Sequence, residues 1–287
     1  MEAPLSTRFA LKFWHSLLLD DKKATLSLRN LASRTLTACC NALPYSLRFR
    51  AAMMLSYWLK PFFHNGGNFL FLWRTNSMSA REFALRRILD FMNWRAITFA
   101  PKLQVNGFET VKSALDRGRG VLVITSHMPL NYLVIRSVYD RGEDPVIVSR
   151  ERELRVRGTN KFCRIIYPSS TYMLSVRREL SHAGLVMSMI DQGEWGQRSE
   201  IVFDTANGQM RISDNLIKFA VNLGSEVLFT SSKLEGNKVV ITFVSPSVGS
   251  RGNAQAITEE FIRFLQAHIA GYATKSKFGQ LVSQVSQ

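Results

Sequence analysis

Gly118-Arg-Gly-Val-Leu-Val-Ile-Thr-Ser-His127 is the stretch from which the fold is most directly predicted. Gly118 ends a short helical pattern, and Val121–Thr125 is an unbroken apolar and β-branched run of the kind that forms a buried strand. Further strand patterns follow at 145–149, 165–166, 185–190, 227–230 and 239–244, and helical patterns lie at 172–183, 213–223 and 257–272. Strands that alternate with helices indicate an α/β fold, with a central, mostly parallel or mixed sheet flanked by helices.

The first 100 residues differ from the rest, because their pattern is helical, unusually aromatic and interspersed with arginine. We therefore divide the chain into a helical N-terminal region, 1–100, and an α/β core, 101–287. Aromatic residues are concentrated at Phe62, Phe63, Phe69, Phe71 and Trp73. The region is interpreted either as a helical subdomain packed on the core or as a membrane-facing surface whose aromatic side chains enter the headgroup layer. The second interpretation predicts an exposed apolar patch, rimmed by positive charge, within 45–75.

Two local signals complete the prediction for the N-terminal region. Ser79 and Glu82 have the spacing of a capping box, which predicts that a helix begins there. The best candidate for a membrane-spanning segment, 41–63, is interrupted by Arg48 and Arg50, so we expect no transmembrane helix.

The composition of the 287 residues narrows the possible partners and excludes some chemistry. The net charge is +15, which favours an anionic partner such as a membrane surface, a nucleic acid or an acidic carrier protein. Nucleic acid is the weakest of the three, because the charge is dispersed and no recognition motif is present. The three cysteines fit no zinc-binding pattern and no disulfide framework. No phosphate-binding loop, nucleophile elbow or dinucleotide fingerprint occurs, so we predict no metal and no other cofactor.

His127 is the strongest candidate for a catalytic residue among the five histidines. It lies just beyond the predicted strand Val121–Thr125, and α/β proteins carry their chemistry at the carboxyl ends of strands. A histidine in this position is suited to act as a general base, although a structural hydrogen-bonding role is an equal alternative. Its neighbours Ser126 and Asn131 are candidate substrate-binding residues.

Other polar residues near predicted strands have functional and structural interpretations. Arg150 and Arg164 lie beside the second and third strands, where a guanidinium can bind phosphate or polarise a thioester carbonyl. Both can equally be solvated surface residues. Asp191 and Gln192 end the next strand, either as a site pair or as turn-capping residues. The charged run 150–157 is predicted to be a solvated helix or a docking site for an acidic carrier.

The stretch 118–127 resembles the segment that leads into the catalytic histidine of the lipid A biosynthesis (lauroyl/myristoyl) acyltransferases, within the lysophospholipid acyltransferase-like superfamily. The other stretches that fall in the order and spacing of that family are Leu43-Pro44-Tyr45, Val105-Asn-Gly-Phe-Glu-Thr-Val111, Val146-Ile-Val-Ser-Arg150, Gly184-Leu-Val-Met-Ser-Met-Ile-Asp191-Gln192 and 203–208 with the helix and strand that follow. The resemblance covers roughly residues 40–250. Each motif is weak when taken alone, and their common order makes the resemblance specific.

The resemblance implies a mechanism as well as a fold. A histidine removes a proton from an acceptor hydroxyl, which attacks the thioester of an acyl carrier protein, and a carboxylate five residues later orients the histidine. Here the histidine is His127 and the matching position is Tyr132, so the acid of the His-x4-Asp/Glu pattern is missing. A neutral phenol does not balance the positive charge of the imidazolium that forms when the histidine takes up a proton. In serine proteases, neutralising the orienting acid costs about 10⁴-fold in rate.

This departure leaves three interpretations open. In the first, an acid from elsewhere, such as Asp191, Glu151 or Asp140, orients His127. In the second, the acceptor is an amine or another good nucleophile, which needs only a weaker base. In the third, the chain is a non-catalytic, lipid-binding or carrier-binding homologue.

The sequence therefore predicts a thioester-dependent acyltransferase, bound peripherally to the cytoplasmic face of a bacterial inner membrane. His127 is the expected general base, with Tyr132 and Asp191 as the other candidate catalytic residues. The donor is expected to be an acyl carrier protein thioester, and the acceptor a glycolipid, another lipid or an intermediate of specialised metabolism. We expect the His127 imidazole to face a mainly apolar channel able to hold a fatty chain. The non-catalytic homologue remains the alternative.

Overall fold

The computed structural model describes residues 26–59, 78–128, 130–191, 200–205 and 208–270. Its helices are α1 (Leu26–Ala42), α2 (Tyr45–Leu59), α3 (Met78–Trp94), α4 (Phe108–Asp116), α5 (Tyr132–Tyr139), α6 (Tyr172–Ser181), α7 (Asn215–Asn222) and α8 (Ala254–Ala270), with a short 3₁₀ helix at Val248–Ser250. Its strands are β1 (Leu103–Asn106), β2 (Val121–Thr125), β3 (Val146–Val148), β4 (Arg164–Ile166), β5 (Leu185–Met189), β6 (Glu200–Thr205), β7 (Gly208–Ser213), β8 (Glu226–Glu235) and β9 (Lys238–Val244).

Seven of these strands form a central sheet in the order β1-β9-β8-β2-β5-β3-β4. The five strands from β8 to β4 run parallel to their neighbours. β9 is antiparallel to β8, and β1 is parallel to β9, so the sheet is mixed but mostly parallel. β6 and β7 form a separate antiparallel hairpin. The predicted α/β class, with a mostly parallel or mixed sheet flanked by helices, is confirmed.

One hydrophobic cluster joins the N-terminal helices to the sheet. Val121, Leu122, Val123 and Ile124 of β2 are fully buried, as their uninterrupted apolar run predicts for a strand covered on both faces. The same cluster includes Phe49 of α2 together with Leu85 and other residues of α3. The described N-terminal helices therefore share the core of the sheet. None of the helices within the described residues combines the length and the apolar character needed to span a bilayer.

Two local predictions differ from the structure. The helix predicted to begin at a capping box already includes Ser79, and the Glu82 carboxylate accepts the backbone N–H of Leu234 in β8 at 2.6 Å. Glu82 is buried, so its carboxylate ties α3 to the sheet. The charged run 150–157 contains no helix.

Helix α2 has one face in the core and one face exposed to solvent. Its buried residues include Phe49 and Met53, whereas Met54, Tyr57 and Trp58 are 68%, 46% and 56% exposed. Tyr57 and Trp58 follow Met54 by three and four residues, about one helical turn, so the three side chains form a stripe on one side of the helix. The aromatic residues that we predicted to extend this surface, from Phe62 to Trp73, lie outside the described residues.

The two arginines of α2 have different roles. Arg50 is exposed beside the apolar stripe. Arg48 instead points inward, where it donates hydrogen bonds to the backbone carbonyls of Asn41, Leu43 and Thr98. Arg48 therefore joins the start of α2 to the segment before it and to the segment at Thr98, and we do not assign it to a lipid-facing surface.

The two glycines of the opening motif are required for different physical reasons. Gly118 has a φ of +71°, in the left-handed region that favours glycine, and a Cβ there would meet no atom within 4 Å. At Gly120 the constraint is space, because a Cβ would lie 2.1 Å from the backbone carbonyl oxygen of Leu180. The backbone at the start of β2 therefore lies directly against the backbone at the end of α6.

We expect Gly120→Ala to lower the free energy of unfolding by about 2–3 kcal/mol, because the added methyl group forces backbone atoms apart. Gly118→Ala should cost about 1–2 kcal/mol, the cost of a left-handed residue with a Cβ. Urea unfolding followed by circular dichroism measures both. Gly249→Ala is the matched control, since its Cβ would meet nothing within 4 Å. A cost at Gly120 no larger than at Gly249 would contradict the close approach.

Candidate functional site

His127 and Asp191 are brought together by two neighbouring parallel strands. Thr125 at the end of β2 pairs in register with Met189 at the end of β5. The pairing continues one residue further, because the backbone N–H of Ile190 donates to the carbonyl of Thr125 at 3.1 Å. His127 and Asp191 each lie two residues beyond these paired positions, so both project from the carboxyl edge of the sheet.

Asp191 binds His127 through both of its carboxylate oxygens. Oδ1 lies 2.6 Å from the ring nitrogen Nδ1, and Oδ2 accepts the backbone N–H of His127 at 2.7 Å. The Asp191 side chain is 8% exposed and that of His127 is 31% exposed. Because an ionised carboxylate can only accept, this contact places a hydrogen on Nδ1. Nε2 is then the nitrogen that can take up a proton, the arrangement that a general base requires.

Asn131 fixes the loop that carries His127. Its amide nitrogen donates to Thr125 Oγ1 and to the carbonyl of Ser126, both at 2.6 Å. Its carbonyl oxygen accepts from the backbone N–H and the hydroxyl of Ser232, at 3.0 and 2.7 Å. Asn131 is 1% exposed, and both ends of its amide are hydrogen-bonded within the protein. It joins β2, β8 and the start of α5. The role in substrate binding that we predicted for it stays a prediction.

A cavity opens beside His127, between α5 and the ends of β3 and β5. Its lining is mainly apolar, from Ile135, Ile147, Leu154 and Met187, and Arg150 also lines it. A second, smaller pocket shares Val148, Ser188 and Met189 with the first and is also lined by Tyr172, Ser213 and Leu216. Both pockets therefore lie at the carboxyl edge of the sheet, next to each other.

The other predicted site residues are distributed differently. Arg164 begins β4 and therefore lies toward the opposite edge of the sheet, where it forms ion pairs with Glu179 at 2.7 Å and Asp144 at 3.9 Å. It is not part of the site around His127. Ser126 is 1% exposed, and its hydroxyl has no hydrogen-bond partner among the described residues. Gln192 lies outside the described residues.

Tyr132 is not the partner of His127. Two guanidinium groups lie near its ring, that of Arg86 at 5.7 Å and that of Arg157 at 5.1 Å from the ring centroid, and no hydrogen bond joins it to His127. Burial raises the pKa of the Tyr132 phenol above its ordinary value, against the opposing effect of the nearby Arg86. It is thus kept in its neutral form.

The contact between His127 and Asp191, which we call the dyad, corresponds to the first of our three interpretations, in which an acid from elsewhere orients the histidine. Of the three acids that we named, Asp191 makes this contact. Asp140 is instead paired with Arg136 at 2.7 Å, and Glu151 is exposed to solvent. Among the described residues, no group of three or more side chains has the composition of a metal site.

A scan against protein-family models finds no match for this chain, and a search of curated proteins finds none either.

We expect Tyr132→Glu to leave the contact between Asp191 and His127 intact, because the new carboxylate would pair with Arg86 and Arg157. Asp191→Asn should instead remove the preference for a hydrogen on Nδ1, since an amide can also donate to that nitrogen. ¹⁵N NMR of histidine-labelled protein distinguishes the two ring nitrogens. Loss of the Nδ1–H form in Tyr132→Glu, or its full retention in Asp191→Asn, would contradict this assignment.

Proposed function

We propose that this protein is an acyltransferase that moves a fatty acyl group from the thioester of an acyl carrier protein to a hydroxyl or amine acceptor. The observation that supports the proposal most strongly is the contact between His127 Nδ1 and Asp191 Oδ1 at the edge of a mainly apolar cavity. The resemblance of 118–127 to the lipid A acyltransferases supports it independently. The acceptor is a lipid, a glycolipid or an intermediate of specialised metabolism.

The proposed chemistry assigns one step to each side chain. His127 Nε2 takes the proton from the acceptor as its oxygen or nitrogen attacks the thioester carbonyl carbon. Asp191 stabilises the imidazolium that forms and keeps the ring in place. When the carbon–sulfur bond breaks, the imidazolium returns its proton to the leaving thiolate. The reaction is thus balanced without a metal or redox cofactor.

The cavity supplies the proposed binding surface for the acyl chain. Ile135, Ile147 and Met187 offer aliphatic contacts, and burial of each methylene group contributes about 0.8 kcal/mol. Arg150 is placed to contact the thioester carbonyl or a phosphate of the carrier's prosthetic group. The acidic carrier itself is expected to dock on the basic surface of a chain whose net charge is +15.

We further propose that the protein acts at the cytoplasmic face of a bacterial inner membrane as a peripheral protein. The exposed stripe of Met54, Tyr57 and Trp58 on α2, with Arg50 beside it, supports this proposal. Aromatic side chains favour the headgroup layer of a bilayer, and arginine is attracted by anionic lipids.

Purified protein given an acyl carrier protein thioester and a panel of amine and hydroxyl acceptors tests the reaction. We expect His127→Ala and Asp191→Asn each to lower the rate of transfer by about 10²- to 10⁴-fold, the usual contribution of an oriented general base. Mass spectrometry of the acylated acceptor and of the free carrier thiol measures the rate.

Two surface changes serve as controls for that experiment. His182 is exposed and Asp116 forms only an exposed ion pair with Lys112, so His182→Ala and Asp116→Asn should retain the rate of the unaltered protein. Binding of the acylated carrier without any transfer to the panel would favour the non-catalytic alternative. Full activity in the His127→Ala variant would refute the proposed mechanism.

Flotation with lipid vesicles tests the membrane proposal. We expect more protein to float with vesicles that contain anionic lipid than with neutral vesicles. The double change Met54→Ser/Trp58→Ser should lower recovery with anionic vesicles several-fold, because two apolar side chains no longer insert into the bilayer. Trp94→Ser is the matched control, since Trp94 is 70% exposed on a different helix. Equal recovery from both kinds of vesicle, or equal loss in the control, would contradict the assignment of α2.

A further inference from the structure

Strand β8 continues past the end of β2, its neighbour in the centre of the sheet. The pairing of the two strands ends at Ile124 and Phe229, whereas β8 runs on to Glu235. Beyond this point β8 pairs with β9 on one side, and its other side faces none of the described strands. Buried backbone groups need hydrogen-bond partners, so side chains must supply them along this part of β8.

Side chains from the surrounding elements bind this side of β8. The hydroxyl of Thr125 donates to the carbonyl of Thr230 at 2.7 Å. The carboxylate of Glu82 in α3 accepts the backbone N–H of Leu234 at 2.6 Å. Ser232 lies between these two positions and is bound on both its N–H and its C=O.

Asn131 and His268 bind Ser232 from different elements. The side-chain oxygen of Asn131 accepts from the backbone N–H of Ser232 at 3.0 Å and from its hydroxyl at 2.7 Å. The imidazole of His268, on α8, donates a hydrogen bond to the backbone carbonyl of Ser232. We refer to these three residues as the Ser232 clamp. It joins the start of α5 to α8 through one residue of β8.

Aromatic packing places the His268 ring in the clamp. The ring stacks on that of Phe264, one turn earlier in α8, with centroids 6.4 Å apart and 15° between the ring planes. Phe264 in turn packs against Phe229 of β8 at 5.7 Å. Burial, together with the positive charge of Lys233, lowers the pKa of His268 to about 4. The ring is therefore neutral near pH 7, with one N–H that the carbonyl accepts.

The Ser232 clamp reaches His127 through the other end of the Asn131 side chain. The amide nitrogen of Asn131 donates to the carbonyl of Ser126, the residue before His127, at 2.6 Å. Asn131 is buried and its amide is rigid, so a displacement of Ser232 is passed on to Ser126. The position of the His127 ring against Asp191 changes with it. A displacement of about 1 Å is enough to cost on the order of 10²-fold in rate.

We infer that Asn131 and His268 are positioning residues for His127, and that His268 acts through Ser232 and Asn131. His268 lies outside the lining of the cavity beside His127, so it acts on the position of the histidine and does not contact the substrate. The inference rests on the proposed function for its effect on catalysis. Its effect on the His127 ring does not depend on that function.

Two substitutions of His268 separate its hydrogen bond from its packing. His268→Phe keeps a ring on Phe264 but loses the donor, and we expect kcat to fall about 10-fold while KM changes less than about twofold. His268→Gln supplies an amide N–H for the carbonyl and should recover most of the loss. His182→Phe is the matched control, since His182 is an exposed histidine at the end of α6. An unchanged kcat in His268→Phe, or an equal loss in His268→Gln, would overturn the inference.

¹⁵N NMR of histidine-labelled protein reports on the His127 ring without turnover. The Nδ1–H signal of His127, assigned by its absence in His127→Ala, should shift in His268→Phe and return toward its original position in His268→Gln. A purely structural role for His268 predicts a lower melting temperature with an unchanged His127 signal, which would overturn the inference. A shifted signal in a protein that transfers no acyl group would refute the proposed function and leave the positioning role in place.

A double-mutant cycle tests the route through Asn131. Asn131→Ala should lower kcat at least as much as His268→Phe, because it removes the contact with Ser126 as well. In the Asn131→Ala background, His268→Phe should have little further effect on kcat or on the His127 signal, because the connection is already broken. Losses that simply multiply would show that His268 acts independently of Asn131 and would overturn the route through the Ser232 clamp.

Discussion

The parallel pairing of β2 with β5 is the constraint on which the candidate site depends. Its register places Thr125 opposite Met189, and the two residues that follow each strand bring His127 and Asp191 into contact. A shift of one residue would turn every side chain of β5 to the other face of the sheet. Such a shift would break the packing of the buried apolar side chains of both strands, so this packing fixes the register. The geometry of the dyad is therefore a consequence of core packing.

Buried polar side chains then attach the surrounding helices to this pair of strands. Asn131 holds the start of α5 against β2 and β8, Glu82 holds α3 against β8, and Arg136 holds the segment at Arg157 against α5. Each of these groups would cost about 1–3 kcal/mol if it lost its partner while buried. The arrangement explains why a site built on loops can still be rigid. Each loop that lines the cavity beside His127 begins or ends at one of these contacts or at a strand.

The sequence predicts six of the seven strands of the central sheet, because strands that are buried in the core leave apolar runs that can be recognised in single segments. It does not predict the edge strand β1 or the separate hairpin of β6 and β7. It also predicts that His127 and Asp191 lie at strand ends, but not that these strands are neighbours. Strand order depends on how distant segments pack, which no local pattern encodes. The spacing after His127 likewise aligns Tyr132 with the acid of the family pattern, whereas its neighbours in the structure are Arg86 and Arg157, which are distant in sequence or on another segment. The spacing of Ser79 and Glu82 predicts a helix cap, but Glu82 instead binds Leu234. These two residues are 152 positions apart, so no local pattern reveals their contact.

The central position of β2 has a consequence for the nascent chain. Thr125 finds its partners in β5 and β8 only after much more of the chain has been made, since Thr230, which binds its hydroxyl, lies 105 residues later. At a synthesis rate of about 5–20 residues per second, that delay is on the order of 5–20 s. During this time Val121–Thr125 is an apolar strand with two unpaired edges, the kind of segment that associates with other chains. The buried residues that align His127 and Asp191 in the finished protein are thus an apolar segment without sheet partners during synthesis.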